Sequence, residues 1–192
     1  MELHKDTPVL LFSSPQEWCR WLEKNHEKFS AVWIKFAKKN SGEVSITYDE
    51  ALESALCFGW IDGLINKYDE KFYVTRFTPR KPKSVWSKRN VELVEQLIRE
   101  KKMHASGLVV IEEAKKNGSL HAAYDGSKDM QIPDDFLKEL VKDQKAYEFF
   151  QTLTRANTYA IAYRLQTAKQ PETRQKRMLA ILTMLHKGEK FH

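Results

Sequence analysis

The stretch WIDGLINKYDEKFYVTRFTP, Trp60 to Pro79, holds two runs rich in β-branched and aromatic residues on either side of the polar KYDE. That is the pattern of an antiparallel hairpin, with WIDGLIN and KFYVTRF as its strands. Thr78-Pro79 closes the pairing, because proline has no N–H for a ladder and biases its predecessor to extended geometry. Upstream, TYDEALESALCFG predicts a helix: Thr47 and Glu50 form a capping box, Ala51, Leu52, Ala55 and Leu56 share one face, and Gly59 stops the helix in a left-handed conformation. Gly63 reads as a bulge or a close approach. Further back, Val32, Ile34 and Phe36 alternate with Ala31, Trp33 and Lys35 at strand period. Before them Ser14, Pro15 and Glu17 open a helix that places Trp18, Trp21 and Leu22 on one side.

Downstream the period changes to that of helices. Val94, Leu97, Ile98 and Lys101 fall on one side of a helix, and SGLVVIEEAKKNG gives a second that ends at Gly118. A loop, SLHAAYDGSKDMQI, leads to a helical region opened by Pro133. There Phe136, Leu137, Leu140 and Val141 make one apolar face, and Ala146, Phe149, Phe150 and Leu153 a second, with Asp143 as a cap between them. Two more helices follow, the last with Met178, Ile181, Leu182 and Leu185 on one stripe and Gly188 as its stop. The expected class is α+β: a small antiparallel sheet with packed helices in residues 1–125, and a basic helical region in 126–192.

The 192 residues are 42% apolar and 11% aromatic, which suits a folded chain and argues against disorder. Cys19 and Cys57 have no metal-ligand spacing around them and read as two small buried thiols. The N-terminal residues do not resemble a secretory leader and no window approaches ~20 apolar residues, so a cytoplasmic location without a transmembrane segment is expected. No phosphate loop, dinucleotide fingerprint, nucleophile elbow or zinc motif is present, and the six histidines show no metal spacing; neither a cofactor nor a metal is implied.

The formal charge of +6 is unevenly spread. From Thr154 to His192 eight Lys or Arg face only Glu172 and Glu189. A second concentration runs from Lys71 to Val91, with seven Lys or Arg and no acid. There Ser84 or Ser87 caps the next helix, so Arg80, Lys81 and Lys83 precede its N-terminus while Lys88 and Arg89 fill its first turn. Cations at that end oppose the helix dipole by ~0.3–1 kcal/mol each. Free N–H groups, serine hydroxyls and cations together suit a phosphate or carboxylate. The candidate ligand-binding set is therefore Trp60, Arg80, Lys83, Ser84, Trp86, Ser87, Lys88, Arg89 and Asn90, with Trp86 either stacking on a base or anchoring the helix in the core. Asp62, in the hairpin, is a candidate general acid or base, or a counter-ion for Arg80 or Arg89. Arg155, Arg164, Lys169, Arg174, Lys176 and Arg177 form a solvated face unless they converge with the Arg80–Arg89 cluster, when they would track a phosphate backbone.

CFGWIDG (Cys57 to Gly63), RFTPRKPKSVWSKRN (Arg76 to Asn90) and AKQPETRQKR (Ala168 to Arg177), in that order, resemble the YdeI/OmdA family, labelled bacteriocin-protection or OmpD-associated, over nearly the whole chain. The resemblance implies an α+β fold and an uncharacterised activity, with protection against cationic antimicrobial peptides suggested by the family label. Net positive charge opposes direct capture of such peptides. An anionic ligand or nucleic acid is the partner expected from the residues themselves; an enzyme built on Asp62 is the rival.

Overall fold

The chain opens on a strand pair that the sequence reading omits. β1 (Leu3–His4) and β2 (Thr7–Leu10) pair antiparallel across Lys5 and Asp6, which both take positive φ, 49° and 59°. These features belong to a computed structural model that describes residues 2–126 and 129–191. α1 (Pro15–Asn25) begins as expected, with the Ser14 hydroxyl accepting the Glu17 N–H. It then carries the chain across to β3 (Val32–Ala37), which lies parallel to β2. The expected antiparallel sheet is thus mixed: a strand–helix–strand crossover returns the chain in the same direction, which a hairpin cannot do.

α2 (Tyr48–Cys57) has both halves of its capping box, and Gly59 ends it at φ +76°. β4 (Trp60–Lys67) and β5 (Phe72–Pro79) form the hairpin, and β5 also pairs antiparallel with β3. The strand order is β1-β2-β3-β5-β4. The register slips between Asp62 and Ile65, the bulge anticipated at Gly63. Trp18, Leu22, Val32, Ile34, Phe36, Ala51, Ala55, Trp60 and Phe77 form the core that joins helices to sheet. α3 (Lys88–Arg99) buries Val94 and Leu97, and α4 (Ala105–Lys116) is followed by Gly118 at φ +73°. Lys101 does not extend the α3 face: it lies beyond the last turn at φ +57°, its N–H bonded to the Ile98 carbonyl.

The chain clusters into two units, residues 1–84 with 90–121, and residues 85–89 with 122–192. Ser127 and Lys128, within the expected loop, lie outside the described residues. In the second unit, α5 (Asp134–Leu140), α6 (Gln144–Gln151), α7 (Arg155–Gln166) and α8 (Pro171–His186) pack around Phe136, Leu140, Ala146, Ile161, Leu165, Met178, Ile181 and Leu185. Asp143 caps α6 as read, accepting the Ala146 N–H. Val141 is exposed instead of facing the core, because α5 stops at Leu140 and Val141 is already its C-cap. No helix among the described residues is long and apolar enough to cross a membrane.

Candidate functional site

The residues singled out along Trp60–Asn90 occupy several environments. Trp60 is 1% exposed and its indole N–H donates to the His26 carbonyl at 3.2 Å; Trp86 is 2% exposed. Neither indole therefore offers a face to solvent, and stacking on a base from outside does not suit either ring. Arg80 is buried, with its backbone N–H on the Gly59 carbonyl at 2.9 Å, and Asn90 is buried in the first turn of α3. Lys83 is exposed. Ser84 does not cap α3: its hydroxyl accepts the Lys81 N–H at 3.1 Å, closing a local turn before the helix begins at Lys88. Ser87 holds the position immediately before that helix. Asp62 is half-buried and accepts the Tyr48 hydroxyl proton at 2.6 Å, so its partner is a phenol and not the arginine considered from the sequence.

Residues 85–89 belong with the basic C-terminal helices, and the backbone explains how. Ser87 bridges Tyr124 in parallel fashion: the Tyr124 N–H donates to the Trp86 carbonyl and the Lys88 N–H to the Tyr124 carbonyl, each at 2.9 Å. The Lys88 ammonium pairs with Asp125 at 2.5 Å, and the Gln166 amide donates to the other oxygen of Asp125 at 2.7 Å. The Lys88 bond, and then that of Gln166, hold the Asp125 carboxyl below the usual range. One cation of the acid-free run is thus matched within its own unit.

Val85, at the start of that segment, lines a cleft of about 470 Å³ together with Tyr159, Tyr163, Arg164, Thr167 and Arg177. The periodicity of α7 builds most of it. Ile161, Ala162 and Leu165 face the core, which leaves Tyr159 and Tyr163, one turn apart, on a common side. Their rings are 6.0 Å apart, and Tyr163 meets the edge of Tyr124 at 4.9 Å. Burial, with Tyr163 nearby, pushes the Tyr159 phenol above its ordinary value, so it is neutral near pH 7 and can both donate and accept.

Arg177 reaches back from α8 to the end of α7, donating from Nη1 to the Arg164 carbonyl at 2.7 Å and to the Thr167 hydroxyl at 3.4 Å. A cation on the last carbonyls of a helix is favourable for the dipole and fixes the guanidinium in place. Both bonds use Nη1, and among the described residues Nη2 and Nε take no acceptor. The Arg164 guanidinium lies 4.1 Å from the centre of the Phe191 ring, a contact that uses its face and leaves its in-plane N–H groups for other acceptors. The unit holding this cleft has fourteen Lys and Arg against nine Asp and Glu, a net +5 of the chain's +6.

The sequence named Arg164 and Arg177 only as members of a basic tail and did not name Tyr159, Tyr163 or Thr167. A tyrosine pair at i, i+4 beside Arg164 was the available signal.

Two family profiles match the chain. Residues 10–110 match a domain of unknown function (DUF8412), and residues 129–188 match the family described as Bacteriocin-protection, YdeI or OmpD-Associated. The second match takes in the motif Ala168–Arg177 and all of the cleft except Val85. The motifs at Cys57–Gly63 and Arg76–Asn90 fall instead within the DUF8412 match, so the resemblance expected over nearly the whole chain is confined in that family to the C-terminal part. No curated protein and no solved structure matches. The chain belongs to the DUF8412 family, which covers just over half of its length at residues 10–110, and its residues 129–188 are similar to the Bacteriocin-protection, YdeI or OmpD-Associated family.

Proposed function

We propose that this protein binds an anionic ligand through its second unit, with Arg164 and Arg177 as the groups that receive the negative charge. The supporting observation is that two arginines line one cleft, Arg177 with Nη2 and Nε to spare and Arg164 with its guanidinium engaged, among the described residues, only through its face. Lys88 and Arg89 raise the positive potential of the same unit, although Lys88 is engaged by Asp125. The reading shifts the weight of the site from Arg80, Lys83 and Ser84 to the C-terminal helices, because Arg80 is buried and the Ser84 hydroxyl closes a local turn.

The test is binding of the full chain to single-stranded and duplex oligonucleotides and to inorganic phosphate at low and moderate salt. Affinity should fall as salt rises. Arg164→Gln with Arg177→Gln should weaken binding about tenfold or more, since each hydrogen bond to a charged group contributes about 1.5–3 kcal/mol. Lys145→Gln with Lys187→Gln removes the same charge elsewhere in the unit and should change affinity little. Absence of binding to any anion at low salt, or equal losses in both double variants, removes the proposal.

A further inference from the structure

The cleft's aromatic side and its cationic side together narrow the ligand class. At about 470 Å³ the space falls within the range of small-molecule sites, roughly 300–1,000 Å³. Its polar groups are not scattered: Arg177 is fixed by the Arg164 carbonyl and the Thr167 hydroxyl, and Arg164 is fixed on Phe191, so the positions of both cations are set before any ligand arrives. Preorganised donors lose less side-chain freedom on binding, which favours a compact, highly charged group over a diffuse one. A phosphate monoester carries about −1.5 to −2 charge at neutral pH and three acceptor oxygens, enough to satisfy two guanidinium groups; a single carboxylate carries half of that.

The remaining wall is made of Tyr159, Tyr163 and Val85, apolar except for two phenol hydroxyls. Tyr163 is braced edge-on by Tyr124, which is itself tied through its backbone to Trp86 and Lys88. A braced tyrosine pair presents ring surface suited to a flat heterocycle, with phenol oxygens at the rim for its polar edge.

We infer that the cleft takes a ligand joining a planar ring to a terminal phosphate monoester, the chemistry of a nucleoside monophosphate, with the phosphate on Arg164 and Arg177 and the ring against Tyr159 and Tyr163. This rests on the anion-binding reading above. The same chemistry occurs in a free mononucleotide and at the phosphorylated end of a nucleic acid strand.

Calorimetric titration of the full chain separates these cases. The probes are the four ribonucleoside 5′-monophosphates, adenosine, inorganic phosphate, and one short oligonucleotide with and without a 5′-phosphate. At least one monophosphate should bind about tenfold or more tightly than both adenosine and inorganic phosphate, because only it engages both walls. Arg177→Gln should remove most of that affinity. Tyr159→Leu should erase the advantage over inorganic phosphate while leaving phosphate binding itself in place, which a merely structural role of Tyr159 would not do. If the 5′-phosphorylated oligonucleotide outcompetes the mononucleotide and its dephosphorylated form does not bind, the inference holds with a strand end as the source. A monophosphate no tighter than inorganic phosphate, or oligonucleotides that bind equally with and without the terminal phosphate, overturns the inference while leaving anion binding intact. Failure of every anion to bind removes both.

Discussion

Gly107 sits where α4 crosses the end of α2, and a Cβ built there would lie 2.2 Å from the Cys57 carbonyl oxygen. Backbone cannot yield as a flexible side chain can, so Gly107→Ala should cost about 3 kcal/mol or more in urea denaturation. Gly118→Asn, at a left-handed position with open space around it, should cost well under ~1 kcal/mol. Equal costs would mean that the α2–α4 approach is looser than described. Cys57 offers a second test at this scale. Burial, with smaller effects from Cys19 and Glu53, pushes its thiol up to about 12, while Cys19 is half-buried. At pH 8 only about one Cys57 in ten thousand is a thiolate, so iodoacetamide should label Cys19 well ahead of Cys57 in the native protein. Faster labelling of Cys57 would contradict that burial.

The capping box of α2 joins the Thr47 hydroxyl to the Glu50 N–H and the Glu50 carboxylate to the Thr47 N–H at 2.9 Å. Thr47→Ala should lower stability by about 1 kcal/mol, measured by thermal or urea unfolding; no change would mean that the helix start is held by packing alone. Elements of this kind were legible because their signals are local: the box at Thr47, the caps at Ser14 and Asp143, and the left-handed glycines 59, 118 and 188 all stand where the sequence places them, although at Ser14 the box is only half made because the Glu17 carboxylate accepts the Ser13 N–H instead. β1 and β2 were not legible. Their turn uses Lys5-Asp6 where glycine or asparagine is usual, Pro8 disguises β2 as a non-strand, and the pairing of β2 with β3 depends on residues more than twenty positions apart. The direction of a crossover is a tertiary fact, which is why the sheet reads as antiparallel from its hairpin.

For the whole molecule, charge distribution was legible and the placing of the cleft was not. Counting Lys and Arg locates the surplus in the tail, yet nothing local announces that residues 85–89 join the C-terminal helices or that Tyr159 and Tyr163 share a wall with Arg177. The same unit carries Asp125, held low by Lys88 and Gln166, and Asp135, held low chiefly by Arg174. Because their folded pKa values lie below the unfolded value of about 3.9, their stabilisation is complete above that pH and fades as pH falls through the folded values. Asp135 is exposed and Asp125 half-buried, and both pair with partly exposed cations, so the effect is modest and screened by salt. The melting temperature should drop below about pH 4, and Asp135→Asn should flatten part of that decline; an unchanged acid limb in the variant would show the pair to be energetically silent.

Nuclear magnetic resonance bears most directly on the central claim. The full chain, labelled with ¹⁵N, is titrated with inorganic phosphate at low salt while the arginine Nε–H signals and the backbone amides are followed together. Saturable shifts should gather on Tyr159, Tyr163, Thr167 and the Arg164 and Arg177 side chains, leaving Lys83 and Ser84 nearly still. Shifts that never saturate, or that centre on Lys81–Ser84 and leave Arg164 and Arg177 unmoved, would contradict an anion site in the C-terminal helices.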